Sequence, residues 1–315
     1  MLYKNDNEEE SYNQYVLDYD NSNKLNVKKV AGVISAVLIF AIILGGTIFL
    51  TLNRSIEKNK ISTIESEENN VETENIIATN VKIEPHSGQK IMDSFLPQEN
   101  PNAQDEIKAI YTSKEKVVYL TFDDGPSATI TPGILDVLKE EKVPATFFVL
   151  GKCVKEHPEL VRREFDEGHY IANHGTSHTY SKIYRSVDEV YNEYMECQNQ
   201  VQIALDNPNY YTRLFRFPGG SSGGPYNALK QQAKNALLEK GIANTNWNAL
   251  NGDAEGITDP VKLHNRMIET VGKQGSIILL MHDAADKKGT LQNLPKTIQF
   301  FRDKGYTFKN FYEIF

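Results

Sequence analysis

The sequence predicts an α/β fold in which parallel strands close into a single barrel wrapped by helices. From about residue 115 onward, apolar runs of strand length alternate with amphipathic runs of helix length, and repeated βα units require parallel strands covered by helices. The roughly 200 residues involved suit one barrel better than two separate domains. The residue types able to do chemistry stand at the C-terminal ends of the apolar runs, the rim on which such barrels build active sites.

The organising element is Val117-Val118-Tyr119-Leu120-Thr121-Phe122, too apolar to face water, which runs into Asp123, Asp124 and the Gly125-Pro126 breaker. A helix is expected over 130–141, a buried strand over 145–150, a helix over 158–167 and a short strand over 170–172. A long amphipathic helix follows over 186–205, then a strand at Phe215-Arg216-Phe217 and a helix over 226–240. A strand over 242–247, a helix over 260–272, the very apolar strand Ser276 to Met281 and a helix over 291–304 complete the pattern.

The 315 residues divide into four stretches, although the whole chain is ordinary in composition, with 40 % hydrophobic and 24 % charged residues. Residues 1–29 are polar and read as a disordered cytoplasmic tail. From Val30 to Leu52 no charge occurs, and those 23 positions give roughly 35 Å of helix, enough to cross a bilayer. This predicts a transmembrane anchor; a cleaved signal would have a shorter apolar part and a small-residue cleavage site. Residues 53–112, with Glu65, Glu67 and Glu68 and few aromatics, read as a polar stalk with a short strand near 76–83, and 113–315 as the catalytic domain. Lys24, Lys28 and Lys29 before the span balance Arg54, Lys58 and Lys60 after it, so charge does not orient it. The domain is placed outside the membrane on functional grounds. A net charge of −8 with no basic stripe excludes nucleic acid as a partner. Cys153 and Cys197 form neither a CxxC pair nor a framework and read as free thiols, with one disulfide left open.

Four pieces could carry chemistry. In extended chain, side chains alternate, so Asp123 and Asp124 are expected to leave on opposite sides, one for an ion and one for a substrate; Asp-Asp-Gly also suits a turn capping the next helix. His174 and His178, four apart, are expected on a helical turn facing one way. Two imidazoles and a carboxylate make a three-ligand set that leaves a divalent ion open to water, although alone the pair also fits surface or core histidines. His282 ends a buried strand, where a histidine can donate a proton near neutral pH or merely cap the strand. Arg216 precedes Pro218-Gly219-Gly220, a guanidinium able to grip a carboxylate beside backbone that a substrate can approach, or else a Pro-Gly turn with an exposed arginine.

With these pieces together, the chain resembles the NodB-like polysaccharide deacetylases, the fourth family of carbohydrate esterases. Thr121 to Ser127 is similar to the family's first motif, His174 to His178 to the second, Arg216 to Gly220 to the third, and Leu280 with His282 to the fifth. The resemblance implies a distorted (β/α) barrel and metal-dependent removal of N-acetyl groups from sugar polymers. It implies that Asp124, His174 and His178 hold zinc or another divalent ion such as Co²⁺. Asp123 would be the base, Arg216 its holder, His282 the acid and Asp253 the group orienting it. Pro218 and the N–H of Gly219 would meet the oxyanion, and Trp247 and Leu280 would line the substrate groove, with Asn248 and Asn251 nearby. His86, His157, His169 and His264 read as surface or structural.

Three departures stand out against the family pattern. Gly175 occupies the position of a Ser or Thr, so the hydrogen bond that orients the turn must be lost or supplied otherwise. Ala254 follows Asp253 where a tryptophan is usual, and Gly219 replaces an aromatic, which opens the groove. The expectation is a single-pass, membrane-anchored deacetylase acting outside the cell membrane on peptidoglycan. The alternatives are another N-acetylated polymer, such as poly-N-acetylglucosamine or chitin oligomers, or a non-catalytic wall-binding module.

Overall fold

In the computed structural model, which describes residues 96–315, Val117–Asp123 forms strand β1, and all seven of its residues are buried. The other strands are β2 (Thr146–Val149), β3 (Tyr170–Asn173), β4 (Leu214–Phe215), β5 (Ala243–Asn244), β6 (Ala249–Leu250), β7 (Ile277–His282) and β8 (Thr307–Lys309). Their order is β5-β4-β3-β2-β1-β7-β6, with β8 also paired to β1, and the pairings are parallel. One edge of β1 runs along β7, while β8 takes Val117–Tyr119 and β2 takes Thr121–Asp123. The result is a curled parallel sheet with β5 and β6 at its ends, the distorted (β/α) barrel expected.

Alternation decides what each face of β1 does. Val118, Leu120 and Phe122 pack with Ile134, Leu138, Leu294 and Ile298 between sheet and helices. Each such side chain contributes about 1.5–3 kcal/mol on burial. Val117 and Tyr119 face the other way, into a barrel interior shared with Phe148, Tyr170, Ile278 and Phe311. Asp123 lies on that interior face, and the β1–β7 register places it opposite His282.

The helices are α1 (Ala103–Ile110), α2 (Thr131–Glu141), α3 (Gly151–Glu156), α4 (Pro158–Asp166), α5 (Tyr180–Ile183), α6 (Val187–Leu205), α7 (Asn227–Leu238), α8 (Pro260–Val271) and α9 (Lys288–Asp303). Their ends follow sequence signals. Ser186 caps α6 by accepting from the Glu189 N–H, and Asp259 caps α8 through the Val261 and Lys262 N–H groups with Pro260 at its first turn.

Three expectations change. Strands β4 and β5 stop after two residues each, so Arg216-Phe217 and Thr245 to Trp247 are not strand; alternation from Leu214 on the interior face still turns Arg216 toward β1. Second, the stalk does not reach residue 112: α1 is amphipathic and buries Ala103, Ile107 and Ile110 against the barrel interior cluster. Its apolar positions are too few to stand out in a polar stretch. Third, the short pieces α1, α3, α5, β6 and β8 carry no pattern long enough to read. Cys153 and Cys197 are free thiols. The expected tail, span at 30–52 and stalk up to residue 95 lie outside the described residues; among those described, no helix is long and apolar enough to cross a membrane.

Ile107 is fully buried, so Ile107→Ala is expected to lower stability by about 2–4 kcal/mol in denaturant unfolding of the full chain. A residue in a solvated stalk would show no change.

Candidate active site

Asp123 closes β1 inside the barrel, where a lone carboxylate would be costly. Arg216 answers it: fully buried, its Nη1 donates to Asp123 Oδ1 at 2.8 Å and to Thr121 Oγ1 at 2.8 Å, and its Nη2 donates to the Asn246 carbonyl at 3.0 Å. The guanidinium also lies 3.9 Å from the Phe148 ring centre. Burial pushes the Asp123 carboxyl above its ordinary range, against the pull of Arg216 and His282. The group therefore holds a proton more readily than a surface aspartate does, as a general base requires.

Asp124 follows with φ +75°, so it leaves β1 by a left-handed turn rather than by the alternation expected. Its Oδ1 lies 3.5 Å from His174 Nε2 and 3.4 Å from His178 Nε2, and these donors lie within 4.8 Å of one another. The same Oδ1 is buried with no hydrogen-bond partner. An orphaned carboxylate oxygen facing two imidazole nitrogens fits a divalent cation of the zinc type, with room for a further ligand. His174 Nδ1 donates to the Arg216 carbonyl at 2.7 Å, which leaves Nε2 as the free lone pair. Burial lowers the His174 pKa to about 3, so the ring is neutral, as a ligand must be.

The two histidines do not share a helical turn. Residues 174–179 are loop, with Gly175 at φ +80° and His178 at φ +57°. What shapes the loop is Glu193, on α6 and almost wholly buried. One of its oxygens accepts from the Thr176 and Ser177 N–H groups at 2.8 and 2.7 Å. The other accepts from the Ser177 hydroxyl at 2.8 Å and Lys182 Nζ at 2.9 Å. Glu193 thus supplies the orientation that the missing hydroxyl at Gly175 does not. Sequence reading passed over it, yet it stands on the buried stripe of α6 with Val190, Cys197 and Val201, and a carboxylate on an apolar stripe was the available signal.

His282 ends β7 with its Nδ1 donating to Asp253 Oδ1 at 2.7 Å and its backbone N–H to Asp253 Oδ2 at 2.9 Å. Thr290, not foreseen, donates to the same Oδ2 at 2.7 Å. Burial alone would lower the His282 pKa, but the hydrogen bond and charge of Asp253, with Asp123 and Asp124 behind, lift it to about 9. The ring is protonated at neutral pH and has a proton to give.

The remaining residues divide. The Pro218 carbonyl accepts from Tyr184 at 2.6 Å, which fixes the turn, and Gly219 is exposed at φ +69°. Trp247 packs beside Gly220 of that turn, 5.8 Å from the Arg216 guanidinium. Leu280 is buried on β7 opposite Thr121. Asn248 is spent on the β7 backbone, through the Ile278 N–H and the Ser276 carbonyl, and Asn251 on Thr290 and Asp253; neither side chain is left for a groove. His157, read as peripheral, lines a cleft of about 430 Å³ with Asp124, Cys153 and His178. His169 is structural, its Nδ1 accepting from the Ala145 N–H.

A family model described as polysaccharide deacetylase matches residues 110–239. A peptidoglycan-N-acetylglucosamine deacetylase of Bacillus cereus is 33 % identical over 208 residues, covering 64 % of this chain and 72 % of the relative. The chain belongs to the polysaccharide deacetylase family. Within that family, the peptidoglycan-N-acetylglucosamine deacetylase of Listeria monocytogenes is 35 % identical over 204 residues. That match covers 64 % of this chain, which spans only about two fifths (39 %) of the Listeria protein. The solved structure of a Streptococcus mutans CE4 esterase is similar at a TM-score of 0.60 and 31 % identity, over 66 % of this chain and 90 % of that one.

Two outcomes are expected. Glu193→Ala should weaken Zn²⁺ binding about ten- to a hundredfold in calorimetric titration, because the loop bearing both histidines loses its clamp. For His282, a folded pKa above the ordinary 6.5 means stabilisation present in full below about pH 6.5 and lost as pH rises through about 9. NMR titration of metal-free protein should find that pKa, and Asp253→Asn should return it toward 6.5 and flatten the loss of stability.

Proposed function

We propose that this protein is a metal-dependent N-deacetylase that removes acetyl groups from the N-acetyl sugars of peptidoglycan. It works outside the membrane to which residues 30–52 anchor it. The observation that carries the reading is the convergence at one rim of the barrel of an Asp124–His174–His178 donor set with an orphaned oxygen, a base candidate held by arginine and a protonated histidine held by aspartate. The peptidoglycan activity named for the Bacillus and Listeria relatives supports the choice of polymer, and the uncharged stretch supports the anchor.

Asp124, His174 and His178 would hold a divalent ion, Zn²⁺ or Co²⁺, which would supply Lewis-acid polarisation of the acetyl carbonyl and of water. The rest falls to the chain. Asp123, fixed by Arg216, takes the proton as water adds to the carbonyl carbon. The Gly219 N–H donates to the oxyanion that develops. His282 gives its proton to the departing amine, which leaves poorly without it, and the products are acetate and a free amino sugar. Asp253 keeps that ring charged and aimed.

Acetate release from purified peptidoglycan should stop with a strong chelator and return with Zn²⁺ or Co²⁺. Asp123→Asn should abolish turnover with metal content unchanged; loss of metal instead would mean that the two aspartates have exchanged roles. Release from N-acetylglucosamine oligomers with none from peptidoglycan would assign another polymer.

A further inference from the structure

The Pro218-Gly219-Gly220 turn carries no side chain where it faces the groove, and aromatic residues from two other loops occupy the space. At Gly219 a Cβ would overlap the Tyr180 hydroxyl and stand 3.0 Å from Tyr180 Cζ. At Gly220 it would stand 3.4 Å from the outer edge of the Trp247 ring. A side chain at 219 would therefore require the Tyr180 phenol to move aside.

Tyr180 arrives from the loop that carries the metal-binding histidines, as the first residue of α5. Its ring centre is 5.6 Å from that of His178 and 5.6 Å, edge-on, from that of Tyr184. Tyr184 in turn fixes the Pro218 carbonyl. Tyr180 is only partly buried against that cluster, and Trp247 is likewise partly buried against the barrel interior. Two half-covered rings thus bracket the turn whose N–H is assigned to the oxyanion. An aromatic ring with a polar tip suits a pyranose, which offers an apolar C–H face for stacking and hydroxyls for the phenol.

We infer that Tyr180 contacts the N-acetylhexosamine ring and takes over the role of the side chain absent at Gly219, with Trp247 as the opposite wall. The inference rests on the deacetylase reading for its ligand class, but its test does not need turnover. In the full chain carrying Asp123→Asn and loaded with Zn²⁺, calorimetry measures the affinity for an N-acetylglucosamine tetramer. Tyr180→Ala should weaken it about tenfold with Zn²⁺ affinity unchanged, while Tyr180→Phe, which keeps the ring, should stay within about threefold. Unchanged tetramer affinity in the alanine variant, or loss of Zn²⁺ binding with it, overturns the inference. If these affinities behave as expected but protein with Asp123 intact releases no acetate from any polymer, the deacetylase reading fails and the sugar contact stands.

Discussion

The site depends on one buried ion pair. Arg216 has no exposed surface and meets Asp123 at 2.8 Å inside the barrel. Removing either partner would strand a charge in a low-dielectric interior, at a cost of about 3–5 kcal/mol. The same residue reaches two parts of the site: its guanidinium fixes the carboxylate at the end of β1, and its carbonyl fixes the tautomer of His174. Alternation along the chain puts Arg216 on the interior face with Leu214, and its N–H still bonds the Asn173 carbonyl of β3.

Around that pair the barrel makes two opposite environments for imidazole. His174 is buried among groups that keep it neutral, with its proton held on Nδ1 by a carbonyl. His282 is nearly as buried, but its partner is a carboxylate, and it keeps its charge. Burial is the largest single influence on each ring, but at His282 the hydrogen bond and charge of Asp253, with the charges of Asp123 and Asp124, together outweigh it. A neutral imidazole and a charged one therefore stand in one small site, at the ends of β3 and β7.

Two departures from the family pattern, at Gly175 and Gly219, are met from elsewhere in the fold. Gly175 lacks the hydroxyl that would orient the histidine loop, and Glu193 on α6 bonds the backbone of that loop instead. The space beside Gly219 is taken by Tyr180, and the space beside Gly220 by Trp247. Each compensation crosses between elements distant in the chain, so local sequence shows the loss without its replacement.

By itself the sequence determined the βα repeat and the central place of Val117 to Phe122, and it pointed to Asp123, Asp124, His174, His178, Arg216 and His282 as candidates, with Asp253 added by the family resemblance. Strand periodicity and strand-end chemistry are local properties, and the motifs lie in contiguous residues. Only the tertiary structure decided that residues 96–112 belong to the domain, that the histidine loop is shaped by Glu193 rather than by a helical turn, and that Asn248 and Asn251 serve the backbone. Those facts depend on which buried groups find partners across the fold, and a hydrogen bond between residues far apart in sequence leaves no periodicity to read.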